Sequence, residues 1–244
     1  MIQDGIQQAQ IIHGVLMMGQ SNMAGRGNLG EVKPIRNPLC YMLRMGRWQP
    51  MCEPVNPDRA IFEGMFRSGI SLAASFADEY AKHFQQMVGL IPCADGGTNL
   101  RQWMPGELNY DHAVMQAKLA LRTSSLKAIL WHQGESDCQA DETVEQYTRR
   151  FVQMIEQFRR DIGAQALPVL VGELPEVIAP KWKTEGRQVL FNQNLHRLPR
   201  MISNCAVVSS AGLTLKPDGL HFDAQACREF GKRYFESYCT MMQR

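Results

Sequence analysis

The 244-residue chain is long enough to bury one sizeable core, and its 45% hydrophobic and 20% charged content is ordinary for a soluble globular protein. Twenty-six basic against 24 acidic side chains leave a net charge of +2, which gives no electrostatic case for nucleic acid or an anionic membrane surface as partner. No apolar run approaches the roughly 18 residues of a membrane span, and Met1–Gln10 carries Asp4 but no basic residue, so no signal peptide is visible and the expected compartment is the cytoplasm, a trimmed leader aside.

The first apolar run, Ile11 to Met18, has the length of a buried strand and ends at Gly19. Ser21 follows at the strand end, in Gly19-Gln20-Ser21-Asn22-Met23-Ala24-Gly25-Arg26-Gly27. A serine there can present its hydroxyl, and its own N–H, at the carboxyl edge of a sheet; equally it can cap a helix. The irregular region from Leu29 to Arg67 carries five prolines and a short strand at Leu39–Leu43. Apolar residues at helical spacing predict a helix over Ser68–Gln86, with Ser68 as its cap.

Met87–Cys93 reads as the next strand, followed by the paired glycine Gly96-Gly97, which lets backbone adopt positive φ or approach a ligand. A loop with Arg101, Trp103 and Pro105 leads to a helix over Asp111–Arg122. The strand Leu126–Trp131 then runs into His132-Gln133-Gly134-Glu135. A helix over Asp141–Ile162 buries Val144, Tyr147, Phe151, Ile155 and Phe158 at intervals of three or four. A strand at Leu167–Val171, a helix near Arg187–Leu198 and a strand at Cys205–Val208 precede Pro217-Asp218-Gly219-Leu220-His221-Phe222. A helix over Ala224–Met242 follows.

Strands and helices alternate throughout, which predicts one α/β domain over 1–244 with a parallel sheet covered on both faces. Strand-following loops then collect at one edge, bringing Ser21, Gly96-Gly97, Gln133-Glu135 and Asp218-His221 together. Acyl transfer needs such a set: a nucleophile, oxyanion donors, a base and an orienting acid. His221 is the candidate base, and Asp218, one tight turn earlier, can accept from its Nδ1–H and leave Nε2 to take the serine proton. His13, His83, His112 and His196 fall within predicted strands or helices; His132 is the competitor. His132, Glu135, Asp218 and His221 lack metal-ligand spacing. The seven cysteines, odd in number and without a C-x-x-C pair, read as free thiols, Cys138 lying beside the glutamine block.

These four blocks, in this order and spanning nearly the whole chain, resemble those of the SGNH hydrolase superfamily, and more closely carbohydrate esterase family 6, the acetylxylan esterase and sialate O-acetylesterase-like group. The resemblance implies a flavodoxin-like three-layer α/β/α sandwich and a metal-free serine mechanism without a cofactor. It also implies an acetylated carbohydrate as substrate, with xylan or xylo-oligosaccharide first, and sialate or another sugar second. By the same resemblance Ser21 is nucleophile and first oxyanion donor, Gly97 (or Gly96) the second donor and Gln133 the third. His221 is the base, with Asp218 or Glu135 as its carboxylate. Arg26, Arg101 and Trp103, in the loops after the first two blocks, are candidates to line the acyl or sugar pocket; equally they can be exposed loop arginines and a loop-anchoring tryptophan. A binding relative that keeps the fold without catalysis is the non-enzymatic alternative.

Overall fold

The computed structural model describes residues 11–58 and 67–243. The reading of Met1–Gln10 and part of the irregular region 29–67 lie outside the described residues. The framework is a seven-stranded sheet in the order β3-β2-β4-β1-β5-β6-β7. Its strands are β1 (Ile12–Gly19), β2 (Cys40–Arg44), β3 (Arg47–Pro50), β4 (Val88–Pro92), β5 (Ser124–His132), β6 (Val169–Gly172) and β7 (Cys205–Val208). All neighbours pair in parallel except β2 with β3, an antiparallel hairpin at the edge. Without that hairpin, the order β4-β1-β5-β6-β7 is the flavodoxin-like 2-1-3-4-5 arrangement, with its switch point at β1.

Alternation along β1 explains the three layers. Successive side chains of a strand face opposite sides, so Leu16 and Met18 join one core and Val15 and Met17 the other. The first core is closed by α3 (Leu108–Leu121), α4 (Asp141–Asp161), α5 (Arg187–Leu195) and the short α6 (Leu198–Met201), the second by α2 (Leu72–Phe84) and α7 (Ala224–Met242). Register aligns Leu16 with Ile91 of β4 and Ile129 of β5, and Ile129 with Val169 of β6, giving a continuous apolar row across the centre of the sheet. Helices α2 and α7 touch closely at Gly231, where a Cβ would stand 2.0 Å from the Leu72 carbonyl oxygen.

Three elements differ from expectation. The helix expected to begin at Ser68 is α2, whose cap is Ser71: its hydroxyl accepts from the Ala73 N–H, whereas the Ser68 N–H donates to Asp58. The third helix starts at Leu108 rather than Asp111. Strand β3 had no clear signal, because Arg47-Trp48-Gln49-Pro50 is polar and ends in proline; its turn is made by Met45 and Gly46, both at positive φ.

Candidate active site

β1 leads directly into a single helical turn, α1 (Ser21–Ala24), that starts on Ser21. The Ser21 side chain, 5% exposed, stands at the floor of a cleft of about 810 Å³ on the carboxyl edge of the sheet. Its Oγ lies 2.9 Å from His221 Nε2, and His221 Nδ1 lies 2.8 Å from Asp218 Oδ2. The other Asp218 oxygen accepts from the N–H groups of Leu220 and His221, at 2.9 and 3.0 Å. One carboxylate therefore folds the turn and orients the ring it carries. Burial alone would raise the Asp218 carboxyl, but the His221 N–H, the imidazole and the Leu220 N–H outweigh it and hold the group below the usual carboxylate range.

The 94–99 turn supplies Gly97, whose φ of 77° a side chain would strain and which lines the cleft opposite Ser21. Among the described residues neither the Ser21 N–H nor the Gly97 N–H has an acceptor within the protein. Gly96 packs against the guanidinium end of Arg26 and the Ser21 Cβ.

The glutamine block is arranged differently from expectation. Gln133 is fully buried and does not line the cleft. Its Nε2 donates toward Asp137 Oδ2 at 2.6 Å, Thr98 O at 3.0 Å and Gln20 Oε1 at 3.1 Å, and its Oε1 accepts from the Tyr147 hydroxyl at 2.9 Å. With two hydrogens shared among three acceptors, this amide has none left for an oxyanion. Its neighbour Gln20 does line the cleft, with Oε1 fixed by Gln133 and the Gly134 N–H. Burial pushes the Asp137 carboxyl up to about 6, against the hydrogen bonds from Gln133 and the Leu100 N–H.

No hydrogen bond or ion pair joins Glu135 to the His221 ring. Its Oε1 accepts from Asn22 Nδ2 at 2.6 Å and lies 3.6 Å from His132 Nδ1. His132, the competitor for the role of base, is fully buried with Nε2 against the Glu173 carbonyl, and burial holds its pKa down. Cys138 is buried and its thiol is pushed up, so it is no reactive thiolate.

With this arrangement in view, similarity to known proteins is decisive at the level of family. A sequence model described as carbohydrate esterase, sialic acid-specific acetylesterase, matches residues 12–240. The chain belongs to this carbohydrate esterase family. A probable carbohydrate esterase of Arabidopsis thaliana is 28% identical over 258 aligned positions, covering 98% of this chain and 94% of that one. Among solved structures, an Arabidopsis thaliana protein superposes with a TM-score of 0.82 at 24% identity, over 94% of this chain and 98% of that one. NanS superposes with a TM-score of 0.74 at 16% identity, over 96% and 98% of the two chains. These likenesses agree with the three-layer fold of SGNH-type esterases.

In this member of the family the remaining sequence candidates separate. Arg26 lines the cleft; burial lowers its pKa while Asp58 and Asp95 raise it, and its Nη1 donates to the Gly25 carbonyl. Arg101 is exposed and off the cleft. Trp103 is enclosed in the core, edge-on to Trp131 at 5.2 Å with Nε1 donating to Thr98 Oγ1, so it has no face to offer a sugar ring. The aromatic wall of the cleft is instead Trp182, whose Nε1 donates to the Asp218 carbonyl and whose ring meets His221 edge-on at 6.1 Å. Sequence reading missed Trp182 and Lys216. The available signal was an aromatic residue in the loop-rich stretch Ala179-Pro180-Lys181-Trp182 after a strand end.

Proposed function

We propose that the chain is a serine esterase that removes O-acetyl groups from carbohydrate. The observation carrying this reading is the unbroken hydrogen-bond chain Ser21 Oγ to His221 Nε2, and His221 Nδ1 to Asp218, at a cleft large enough for a sugar. In the mechanism, Ser21 Oγ attacks the acetyl carbonyl carbon while its proton passes to His221 Nε2. Asp218 keeps the imidazole in the required tautomer and stabilises the imidazolium. The developing oxyanion is met by the N–H groups of Ser21 and Gly97. Gln133, its own amide committed, serves by fixing Gln20 and the Thr98 turn. Collapse of the tetrahedral adduct expels the sugar oxygen, which takes the proton from His221 and leaves an acetyl group on Ser21. Water, deprotonated by His221, then attacks the acetyl carbon; acetate leaves and Ser21 regains its proton.

Acetylated xylan or xylo-oligosaccharide is the first substrate reading, and Trp182, with a partly exposed ring on the cleft, supports a pyranose there. A second reading, an O-acetylated acidic sugar such as sialic acid, is favoured by the three cationic side chains on the same cleft, Arg26, Arg67 and Lys216. Acetate release from acetylated xylan, acetylated xylo-oligosaccharides and O-acetylated sialic acid, each with wild type and Ser21→Ala, tests both. Release that depends on Ser21 supports the esterase, and the preferred substrate assigns the sugar. No release from any of them, or from an activated acetate ester, would leave a binding relative.

A further inference from the structure

Asn22 follows the serine, yet its side chain is 1% exposed and does not line the cleft. It points the other way, into the turn that carries His221. Its Oδ1 accepts from the Phe222 N–H at 3.1 Å, and its Nδ2 donates to the Leu220 carbonyl at 3.3 Å. The amide thus brackets residue 221 from both sides along the backbone. The Nδ2 group also donates to Glu135 Oε1 at 2.6 Å, an oxygen of a carboxylate that is itself buried.

Two requirements govern the Ser21–His221 contact. The ring must be turned correctly, which Asp218 achieves from within the same turn. The turn as a whole must also be placed against the end of β1: Phe222 is buried in the second core and the Asp218 and Gly219 carbonyls accept from Trp182 and Ala179, but the hydrogen bonds that reach the turn from the residue beside Ser21 are those of Asn22. We propose that Asn22 is the positioning residue that sets the Ser21–His221 separation, and that Glu135 acts through it by holding the Asn22 amide in orientation. One peptide joins Asn22 to Ser21, and one peptide on each side joins its partners to His221, so the clamp is a short connection between nucleophile and base. A buried carboxylate on the amide strengthens that orientation, because a charge-assisted hydrogen bond is about twice as strong as a neutral one. This assigns Glu135 a role other than direct support of the imidazole. The proposal rests on the serine-esterase reading, from which its test is kept separable.

The kinetic test uses Asn22→Ala, Asn22→Asp, Glu135→Ala and the exchange Asn22→Asp with Glu135→Gln. Asn22→Ala is expected to lower kcat by about 10²-fold, the scale of a small misplacement of reacting groups, with KM unchanged. Asn22→Asp keeps the acceptor for Phe222 but sets an oxygen against Leu220 O and Glu135, so it too should lose kcat. The exchange lets the new amide at 135 donate to the new carboxylate at 22 and should recover part of the loss. Adding Glu135→Ala to Asn22→Ala should cost nothing further. Unchanged kcat in both Asn22 variants, a loss confined to KM, or additive losses from Asn22→Ala and Glu135→Ala would overturn the clamp.

A second readout needs no turnover. In wild-type background, Ser21→Ala should move the His221 ring proton resonances, because the Oγ contact is removed. In the Asn22→Asp background the same change should leave them where they are; a shift as large as in wild type would overturn the proposal. Ser21→Ala with wild-type activity would instead dismiss the serine mechanism and leave this measurement of the clamp standing.

Discussion

Ser21 Oγ and His221 Nε2 stand 2.9 Å apart across 200 positions of sequence, one after the central strand and the other just before the helix that ends the described chain. Serine is a weak nucleophile at its free pKa and depends on such a neighbour to lose its proton. Ser21→Ala should therefore abolish nearly all ester hydrolysis with an unchanged circular dichroism spectrum. A serine-directed organophosphate should label wild type at Ser21, as peptide mass mapping would show; labelling elsewhere would contradict the assignment.

The carboxylates 218 and 135 should behave differently. Asp218→Asn removes the acceptor for Nδ1–H, and in the serine-protease template the equivalent change lowers kcat about 10⁴-fold. Glu135→Gln keeps an oxygen for Asn22 and should lose much less. Steady-state kcat for the two variants on one activated acetate checks the order; a larger loss in Glu135→Gln would transfer the acid role to the glutamine block.

Gln133→Ala should affect folding stability as well as rate. It strips partners from Asp137, Gln20 and the Tyr147 hydroxyl, and each buried polar group left unpaired costs about 1–3 kcal/mol. Chemical denaturation should show a loss of that order beside a lower kcat. A fall in kcat at wild-type stability would instead mark Gln133 as a direct oxyanion donor.

Asp137 gives a pH signature with a definite sign. Its folded-state carboxyl keeps its proton up to about 6, whereas the unfolded chain releases it near 4. Between those values the folded state binds more protons, so this group makes stability fall as pH rises, with no further change above the folded pKa. The stability difference between wild type and Asp137→Asn, measured by urea unfolding across that range, should move against wild type as pH increases. A flat difference would contradict the burial-driven shift.

Two tryptophans should separate binding from packing. Trp182→Ala should raise KM for an oligosaccharide more than for a small activated acetate, because its ring is on the cleft. Trp103→Ala should leave that ratio alone and destabilise the fold by about 3–5 kcal/mol, as aromatic truncations in a core do. Reversed effects would return Trp103 to the substrate wall.

What the sequence reveals and what it hides divides along physical lines. Runs such as Ile12–Met18 and Leu126–Trp131 are legible because a doubly covered strand has to be apolar on both faces, and the turns after them are legible because their chemistry is local. The pairing of Asp218 with His221 sits within one turn. By contrast Gln133 and Gln20 are both amides beside strand ends, and only the packing of Tyr147, Asp137 and Thr98 around Gln133 decides which faces the cleft. Trp103 and Trp182 likewise occupy similar loops, and burial depends on Trp131 being across from one of them. The partners of Asn22 in the turn at 220–222 are 198 and 200 positions away in sequence and show only when that turn is placed against it.

The order of the strands has a consequence for how the protein comes into being. The central position belongs to β1, an early segment, while its two neighbours β4 and β5 are made later and the His221 turn later still. A growing chain therefore carries Ser21 on β1 before either neighbouring strand exists, and without His221 until the 218–222 turn is made. On the proposed serine mechanism, hydrolysis should begin only once the sheet has closed around β1 and the 218–222 turn has docked. Recovery of activity during refolding is then a clock for the completion of the whole sheet, and should lag any spectroscopic probe that reports the β1, β4 and β5 pairing alone.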